Sequence, residues 1–537
     1  MEQKRLDRED LEIILQTFRE FSEREMPLDK RLEWDREDVC PEQVVRAMLG
    51  PDVGLHLVFI PEEHGGMGGG AYDVYRLSCE FAKVDLGLAT AMLAIALGID
   101  PIRVGATPKQ REKWMTKLAE EGLIVAYGVT EPEAGSNVEN LKTRAERITD
   151  ESGEVTHYRL EGVKQFISNG AIADLYTILA KAPDGPTFFV VERGTEGLEP
   201  GENEEKHGIR LSNTSQVILE DAVIPADNIV GECEGRGIKQ SNEVFGYTRL
   251  MVAAFGLGGG LSALEKAIAY SKERKQFGSY LRELQGYTHK LLVPHSVRLA
   301  AAKAYIEHVA DLLDASDEDR QVEGSIAKLF ATEAGNAAAE AAIQALGGYG
   351  YCAEYEVEKI KRDVRILPIY EGTSEIQQSI IGVFRMRLSV KSKGRFYDGI
   401  ADELAGLERV GGPAVAHAGR LLSHCSVQAF RRKLSRKQHA LFELGWAMAE
   451  VETAAALVRA AARDENNELL AAQSRLWAAE VAISVPSRML RLFVGAGVLD
   501  EEATRELIER ADLPGAAALQ AGTLADMDAV AEAITAD

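Results

Sequence analysis

Positive charge is in short supply in this sequence. There are 61 lysines and arginines against 85 aspartates and glutamates, a net charge of −24. No excess of cations is left to meet a phosphate backbone, so nonspecific nucleic-acid binding is excluded. A local anion site is still allowed, because binding follows the local field rather than the sum. Cysteine is scarce too. Cys40, Cys79, Cys233, Cys352 and Cys425 are scattered, odd in number and form no C-x-x-C pair, which points to reduced thiols and no metal centre. No hydrophobic run approaches the length expected of a membrane-spanning helix. Met1 to Asp10 carries both charge signs and no apolar stretch, so neither a signal peptide nor an Arg-rich transit peptide is expected there. The expectation is a cytoplasmic protein of a bacterium, or a matrix protein already processed. No internal repeat or low-complexity segment stands out. What remains is 537 residues, 46% hydrophobic and 27% charged, which suits several domains sharing buried cores.

The pattern along the chain changes period twice. Leu11, Ile14, Leu15, Phe18 and Phe21 recur at helical spacing, and residues 1–123 read as a helical domain. Pro61 to Gly70 is a glycine-rich break without the Gly-Lys-Ser/Thr ending of a phosphate loop, so it reads as a turn. Residues 86–99 read as an apolar helix and Gln110 to Glu121 as a polar-faced one. From 124 to 240 short β-rich runs alternate with turns: Val155 to Leu160, Tyr176 to Ala180, Thr187 to Val191 and Gln216 to Ile224. Helices resume over 241–392. There the Gly256, Gly258, Gly259, Gly260 cluster suits close helix packing, since no strand precedes it as a dinucleotide loop requires. Residues 393–537 form an Ala-rich helical addition without a recognisable catalytic motif.

The richest stretch is Ile369-Tyr370-Glu371-Gly372-Thr373-Ser374-Glu375-Ile376-Gln377. It sets one carboxylate between a bulky ring and a flexible glycine, just before a helical pattern. A base that removes a weakly acidic C–H proton needs such a setting, because apolar neighbours desolvate the carboxylate and raise its pKa. On its own the stretch reads equally as a helix-capping turn. Other motifs accompany it: Tyr127-Gly128-Val129-Thr130-Glu131-Pro132-Glu133-Ala134-Gly135-Ser136-Asn137, then Gly162-Val163-Lys164-Gln165-Phe166-Ile167-Ser168-Asn169-Gly170, then Lys206 to Glu232, Glu273-Arg274-Lys275-Gln276-Phe277-Gly278, and Gln344 to Arg365. In this order the set resembles the acyl-CoA dehydrogenase family of flavoenzymes, over roughly residues 5–390.

The resemblance implies a mainly helical fold with an inserted β-barrel: a helical domain, a β-domain, a four-helix domain and here an extra C-terminal helical domain. It implies FAD as cofactor and the α,β-dehydrogenation of a fatty acyl-CoA, medium to long chain favoured, to the trans-2-enoyl-CoA. Desaturation next to a thioester needs a base, a polarised carbonyl and a hydride acceptor, and no side chain accepts hydride. By resemblance Glu371 is the base, and its backbone N–H helps hold the thioester oxygen. The family's other base position, before Arg249, is Thr248 here. Tyr127, Val129 and Thr130 match residues that line the flavin ring, and Gly135 and Ser136 match a turn beside flavin and substrate. Phe166 takes a position that packs on the ring, and Ser168 one near N5. Arg274, Gln276 and Phe277 match a motif reaching the FAD of a neighbouring subunit, where a guanidinium suits a pyrophosphate. Gln344, Gly347 and Gly348 match contacts to the same pyrophosphate region, and Thr373 and Glu375 contacts to the phosphate and adenine end. Ser136, Arg249, Tyr370 and Gly372 match substrate contacts.

The sequence also departs from the family pattern. Asn137 replaces a usual aspartate and Gln378 a usual arginine. Gly246 replaces a usual acid three before Arg249, which puts that contact to the CoA arm in doubt. Gly87 to Met92 carries no arginine, so a glutaryl ω-carboxylate would lack a partner there. The C-terminal addition resembles, in length and position, that of very-long-chain members. This implies a homodimer, with a homotetramer as the alternative. Arg431 to Lys437 and Arg488 to Phe493 are basic-apolar stretches suited to weak peripheral contact with the inner membrane face, or else to a solvated helix face. Electron-transfer flavoprotein is the expected electron acceptor. An acyl-CoA oxidase using O2 and a non-catalytic flavin-carrying scaffold are the rival readings, and the carboxylate of Glu371 argues against the scaffold.

Overall fold

The computed structural model describes residues 5–316 and 318–536, the surroundings of 245–247 excepted. The chain divides into two compact units. One runs through Met251 and includes Ala310–Asp319; the other holds Val252–Val309 and Arg320 onward.

The first unit opens on helices Arg8–Glu25, Leu28–Glu37, Glu42–Leu49, Ala71–Val84, Leu86–Gly105 and Pro108–Glu121. Leu11, Leu15, Phe18 and Phe21 form the buried stripe of the first, and Phe18 meets Phe81 edge-on at 4.7 Å. The break at Pro61–Gly70 is a 3-10 turn, Glu62–His64. It needs Gly66, where a Cβ would sit 1.9 Å from the Ile60 carbonyl oxygen. Asp85 starts the Leu86–Gly105 helix by accepting from the Gly87 and Leu88 amides at 2.8 and 3.1 Å. That helix corrects the expectation that no apolar run is long enough to span a membrane. It is long and apolar enough to span one, but 89% of its most apolar stretch is buried in protein, as is 93% of that in Gly237–Glu273. Both are therefore core helices, hydrophobic all round because they are covered all round.

Seven strands follow: β1 (Val125–Gly128), β2 (Arg144–Thr149), β3 (Val155–Ser168), β4 (Leu175–Ala182), β5 (Gly185–Glu192), β6 (Leu198–Asn203) and β7 (Thr214–Pro225). They form one open sheet in the order β1-β4-β2-β3-β7-β6, with β5 on β4, so the β-domain is a half-barrel. The β3–β7 pairing slips between Lys164 and Ile167, where Gln165 and Phe166 oppose Gln216 alone. This is a β-bulge, which re-aims a side chain.

In the second unit Gly256 lies against the helix Gln321–Leu346. A Cβ at Gly256 would be 2.5 Å from the Ala331 carbonyl oxygen, and one at Gly335 would be 2.1 Å from that of Gly256, so the glycine cluster serves close helix packing. The helix Ser374–Lys391 meets Gln438–Arg463 in the same way. A Cβ at Gly445 would reach the Gln378 carbonyl at 2.3 Å, and one at Gly382 that of Leu441 at 2.7 Å. A buried ionic cluster ties the same helices. Arg385 Nε donates to Glu452 at 2.8 Å and Arg385 Nη2 to Glu323 at 2.9 Å, while Glu452 also accepts from the Tyr397 and Tyr305 hydroxyls at 3.0 and 3.3 Å. Burial, and then the Glu452 carboxylate, push both phenols well above the usual tyrosine range. The C-terminal helices thus share a core with the helices before them. One of the two suggested lipid-facing stretches is also corrected. Arg488 is turned inward onto Glu443 at 2.8 Å and Glu450 at 3.6 Å, and Leu492 and Phe493 are buried. In the other stretch Arg431, Lys433, Arg436 and Lys437 are exposed and Leu434 is buried.

Candidate active site

The first unit carries the Tyr127 and Phe166 motifs, and two contacts bring them together. The Gln165 amide donates to the Thr130 carbonyl at 2.9 Å. Lys164 Nζ reaches Glu131 at 2.6 Å, the Leu179 carbonyl at 2.6 Å and the Val129 carbonyl at 3.4 Å. Lys164 and Glu131 are 0% and 2% exposed. Burial alone would raise the Glu131 carboxyl, but Lys164, Thr143 and the Lys142 amide hold it below the usual carboxylate range. Sequence reasoning assigned this pair no role; its signal was the single lysine of the Gly162–Gly170 motif and the first of two glutamates in the Tyr127–Asn137 motif. Tyr127 stacks on Phe188 at 5.8 Å, and its hydroxyl lies 3.5 Å from Ser241 Oγ. Val129 is buried, and Thr130 and Ser168 are half-buried. Gly135 and Ser136 are exposed, and a Cβ on Gly135 would meet nothing within 4 Å. The bulge turns Phe166 out of the sheet at φ 57, leaving it 63% exposed. An aromatic face held out by a rigid strand suits a planar ring. Thr248 and Arg249 are buried in this unit. Thr248 donates to the Val244 carbonyl at 3.4 Å, and being a threonine it brings no carboxylate. Gly246, whose place in the CoA contact was in doubt, lies outside the described residues.

The second unit carries the motifs around Arg274, Gln344 and Glu371, while Lys206 to Glu232 belongs to the first. Lys275–Gln276 and Ser279–Tyr280 pair as a short hairpin. Its turn is Phe277 at φ 53 and Gly278 at φ 86, the paired left-handed conformation that matches strand twist. Phe277 is 95% exposed. Arg274 is exposed at the foot of the hairpin, 5.9 Å from the Tyr349 ring. Gln344 lies in the last turn of the long Gln321–Leu346 helix, Gly347 and Gly348 follow the helix, and all three are exposed. A Cβ at either glycine would meet nothing within 4 Å. An open glycine pair beside an arginine leaves backbone N–H groups accessible to a phosphate, which suits the pyrophosphate part of a dinucleotide.

Glu371 stands at φ 55 and Gly372 at φ 87, two consecutive left-handed residues after Tyr370. Thr373 then caps the helix Ser374–Lys391 by accepting from the Ile376 amide at 3.3 Å. Gln377 Nε2 donates to the Glu371 and Gly372 carbonyls at 3.0 and 3.1 Å. Lys328 Nζ donates to the Gly372 carbonyl at 2.7 Å. Glu375 is exposed, and hydrogen bonds from its own amide and from Thr373 lower its pKa from the ordinary value. Three of the non-glycine residues singled out from sequence, Phe166, Phe277 and Glu371, sit in the left-handed region. Such strain concentrates at functional positions.

Comparison with known proteins fits this geometry. The chain matches the N-terminal, middle and C-terminal domain models of the acyl-CoA dehydrogenase family at residues 8–122, 126–222 and 235–384. It is 33% identical over 380 residues to a cyclohex-1-ene-1-carbonyl-CoA dehydrogenase of Syntrophus aciditrophicus, covering 70% of this chain and 89% of that protein. It is 33% identical to the caffeyl-CoA reductase–Etf complex subunit CarC of Acetobacterium woodii, over 69% of this chain and 96% of the relative. An acyl-CoA dehydrogenase from Bacillus anthracis, solved complexed with FAD, superposes with a TM-score of 0.85 over 98% of this chain and 95% of its own, at 23% identity. That likeness extends the shared fold to the C-terminal helices. The chain belongs to the acyl-CoA dehydrogenase family, oxidoreductases acting on CH–CH groups.

Proposed function

We propose that this FAD-dependent acyl-CoA dehydrogenase desaturates a fatty acyl-CoA to the trans-2-enoyl-CoA, with Glu371 as the base that takes the α-proton. The observation that carries the reading is the turn itself: a glutamate on a left-handed backbone, followed by glycine and a capped helix. FAD, when bound, supplies the acceptor for the β-hydride. Phe166, Tyr127, Val129, Thr130 and Ser168 hold the flavin ring in this reading. Arg274, Gln276, Phe277, Gln344, Gly347 and Gly348 serve the pyrophosphate side, and Thr373 and Glu375 the adenine end. Ser136, Arg249, Tyr370 and Gly372 orient the thioester. The Glu371 N–H donates to its oxygen, so the charge that develops when the α-proton leaves meets a fixed dipole. Electron-transfer flavoprotein is the acceptor, a reading supported by the name of the Acetobacterium relative. The preference for medium to long chains rests on the resemblance alone.

Turnover of the purified holoenzyme on butyryl-, octanoyl-, palmitoyl- and ring-containing thioesters tests the reading. A ferrocenium-type acceptor is expected to sustain turnover and O2 to fail. Turnover with O2 alone would identify an oxidase. Flavin that no thioester reduces would identify a scaffold.

A further inference from the structure

Two buried side chains from different helices converge on the carbonyls of the Glu371–Gly372 turn. Lys328 lies in Gln321–Leu346 and Gln377 in Ser374–Lys391, and both are 0% exposed. The Gly372 carbonyl accepts from both, and the Glu371 carbonyl accepts from Gln377. We propose that Lys328, with Gln377, is a positioning residue for the base. The pair clamps the turn by its carbonyls and so presents the Glu371 carboxylate from a left-handed backbone. This rests on the assignment of Glu371 as the base.

A carbonyl needs one good donor, and Gln377 already provides it. A buried ammonium is a more expensive donor than an amide, and on this carbonyl it gives something in return. The return is rigidity. The bond is charge-assisted and 2.7 Å long, the short and strong kind. It comes from a helix other than the one the turn leads into, so the turn is pinned on two sides. Ser374 Oγ adds a second tie to the Lys328 helix, donating to Glu333 at 2.6 Å. Left to itself, a non-glycine residue leaves the left-handed region, because its Cβ crowds the following carbonyl. Release of the clamp would let the carboxylate swing out of line with the α-proton, and small misplacements of a reacting group cost large factors in rate.

The test uses the anaerobic holoenzyme and two readouts. One is exchange of α-hydrogen for deuterium in an acyl-CoA whose β-carbon bears no hydrogen; it reads the base without hydride transfer. The other is flavin bleaching by substrate. Lys328→Met, of similar length without a donor, is expected to slow both by about tenfold or more. The FAD-to-protein ratio and the acyl-CoA dissociation constant should stay within about threefold. Lys328→Arg keeps a cationic donor and should fall between Met and wild type. Wild-type exchange in Lys328→Met would overturn the proposal. If that variant loses FAD or solubility, Gly372→Ala decides. Its Cβ would lie 2.7 Å from Gln377 Nε2 and disturb the clamp without removing a charge. It should slow exchange with FAD retained, and unchanged exchange would overturn the proposal. Exchange at the wild-type rate in Glu371→Gln would remove the base assignment instead.

Discussion

Burial governs how Glu450 responds to pH. It lies on Gln438–Arg463, 5% exposed, and burial, opposed by Arg488, pushes its carboxyl from 4.5 to about 7. An acid whose folded pKa lies above its unfolded value binds its proton more tightly when folded. The contribution of Glu450 is therefore full below pH 4.5 and lost as pH rises through 7. Glu450→Gln removes this loss, worth at most about 3 kcal/mol. It should raise the Tm at pH 8 by a few degrees and flatten its pH dependence between 4.5 and 7. An unchanged profile would place the titration elsewhere. Glu452, on the same helix, faces Arg385 at 2.8 Å with both side chains 8% exposed. Glu452→Gln leaves a buried guanidinium short of its partner and should destabilise the fold by roughly 3 kcal/mol, read by urea unfolding. Glu371 was legible in sequence because its neighbours are local. Lys328 and Glu452 were not, since each acts on residues far along the chain and carries no motif of its own.

At the scale of elements, one irregularity in β3 matters more than its regular part. The bulge at Gln165–Phe166 turns an aromatic ring outward. Phe166→Ala should weaken FAD retention by about tenfold, read as the flavin-to-protein ratio after dialysis, while the sheet persists by circular dichroism. Full retention would make Phe166 a bystander. The central runs of β3, β4, β5 and β7 were legible because apolar and β-branched residues dominate them. The others were not. β2 is Arg-Ala-Glu-Arg-Ile-Thr, half of it charged, and β6 carries Pro200 and Gly201, residues a strand accepts only at an edge or bulge. β1 is four residues long, too short for an alternation to show. The helix Leu86–Gly105 was read to 99; it runs on through Pro101 to Gly105 because tertiary packing overrides the local signal.

At the scale of the molecule, the family was legible from motif order, but the role of the C-terminal helices was not. Their alanines and glycines announce close packing without naming a surface. The structure supplies the partner surface: Gly382 and Arg385 of Ser374–Lys391 meet Leu441 and Glu452 of Gln438–Arg463, whose Gly445 lies against Gln378. Deleting residues 395–537 should bare that face and produce aggregates or a larger oligomer, where the full chain is expected to be a homodimer. Light scattering on both forms checks this. A full-length tetramer, or a truncated protein of unchanged stoichiometry and solubility, would contradict it.

The central claim is that one carboxylate performs the proton abstraction, and Glu371→Gln tests it most directly. The amide keeps the shape of the turn and cannot take a proton. Mixed anaerobically with an acyl-CoA that bleaches the wild-type flavin, the variant should carry a normal FAD content and bleach at least roughly 10²–10⁴-fold more slowly. Bleaching at the wild-type rate would contradict the account and place the base on another residue.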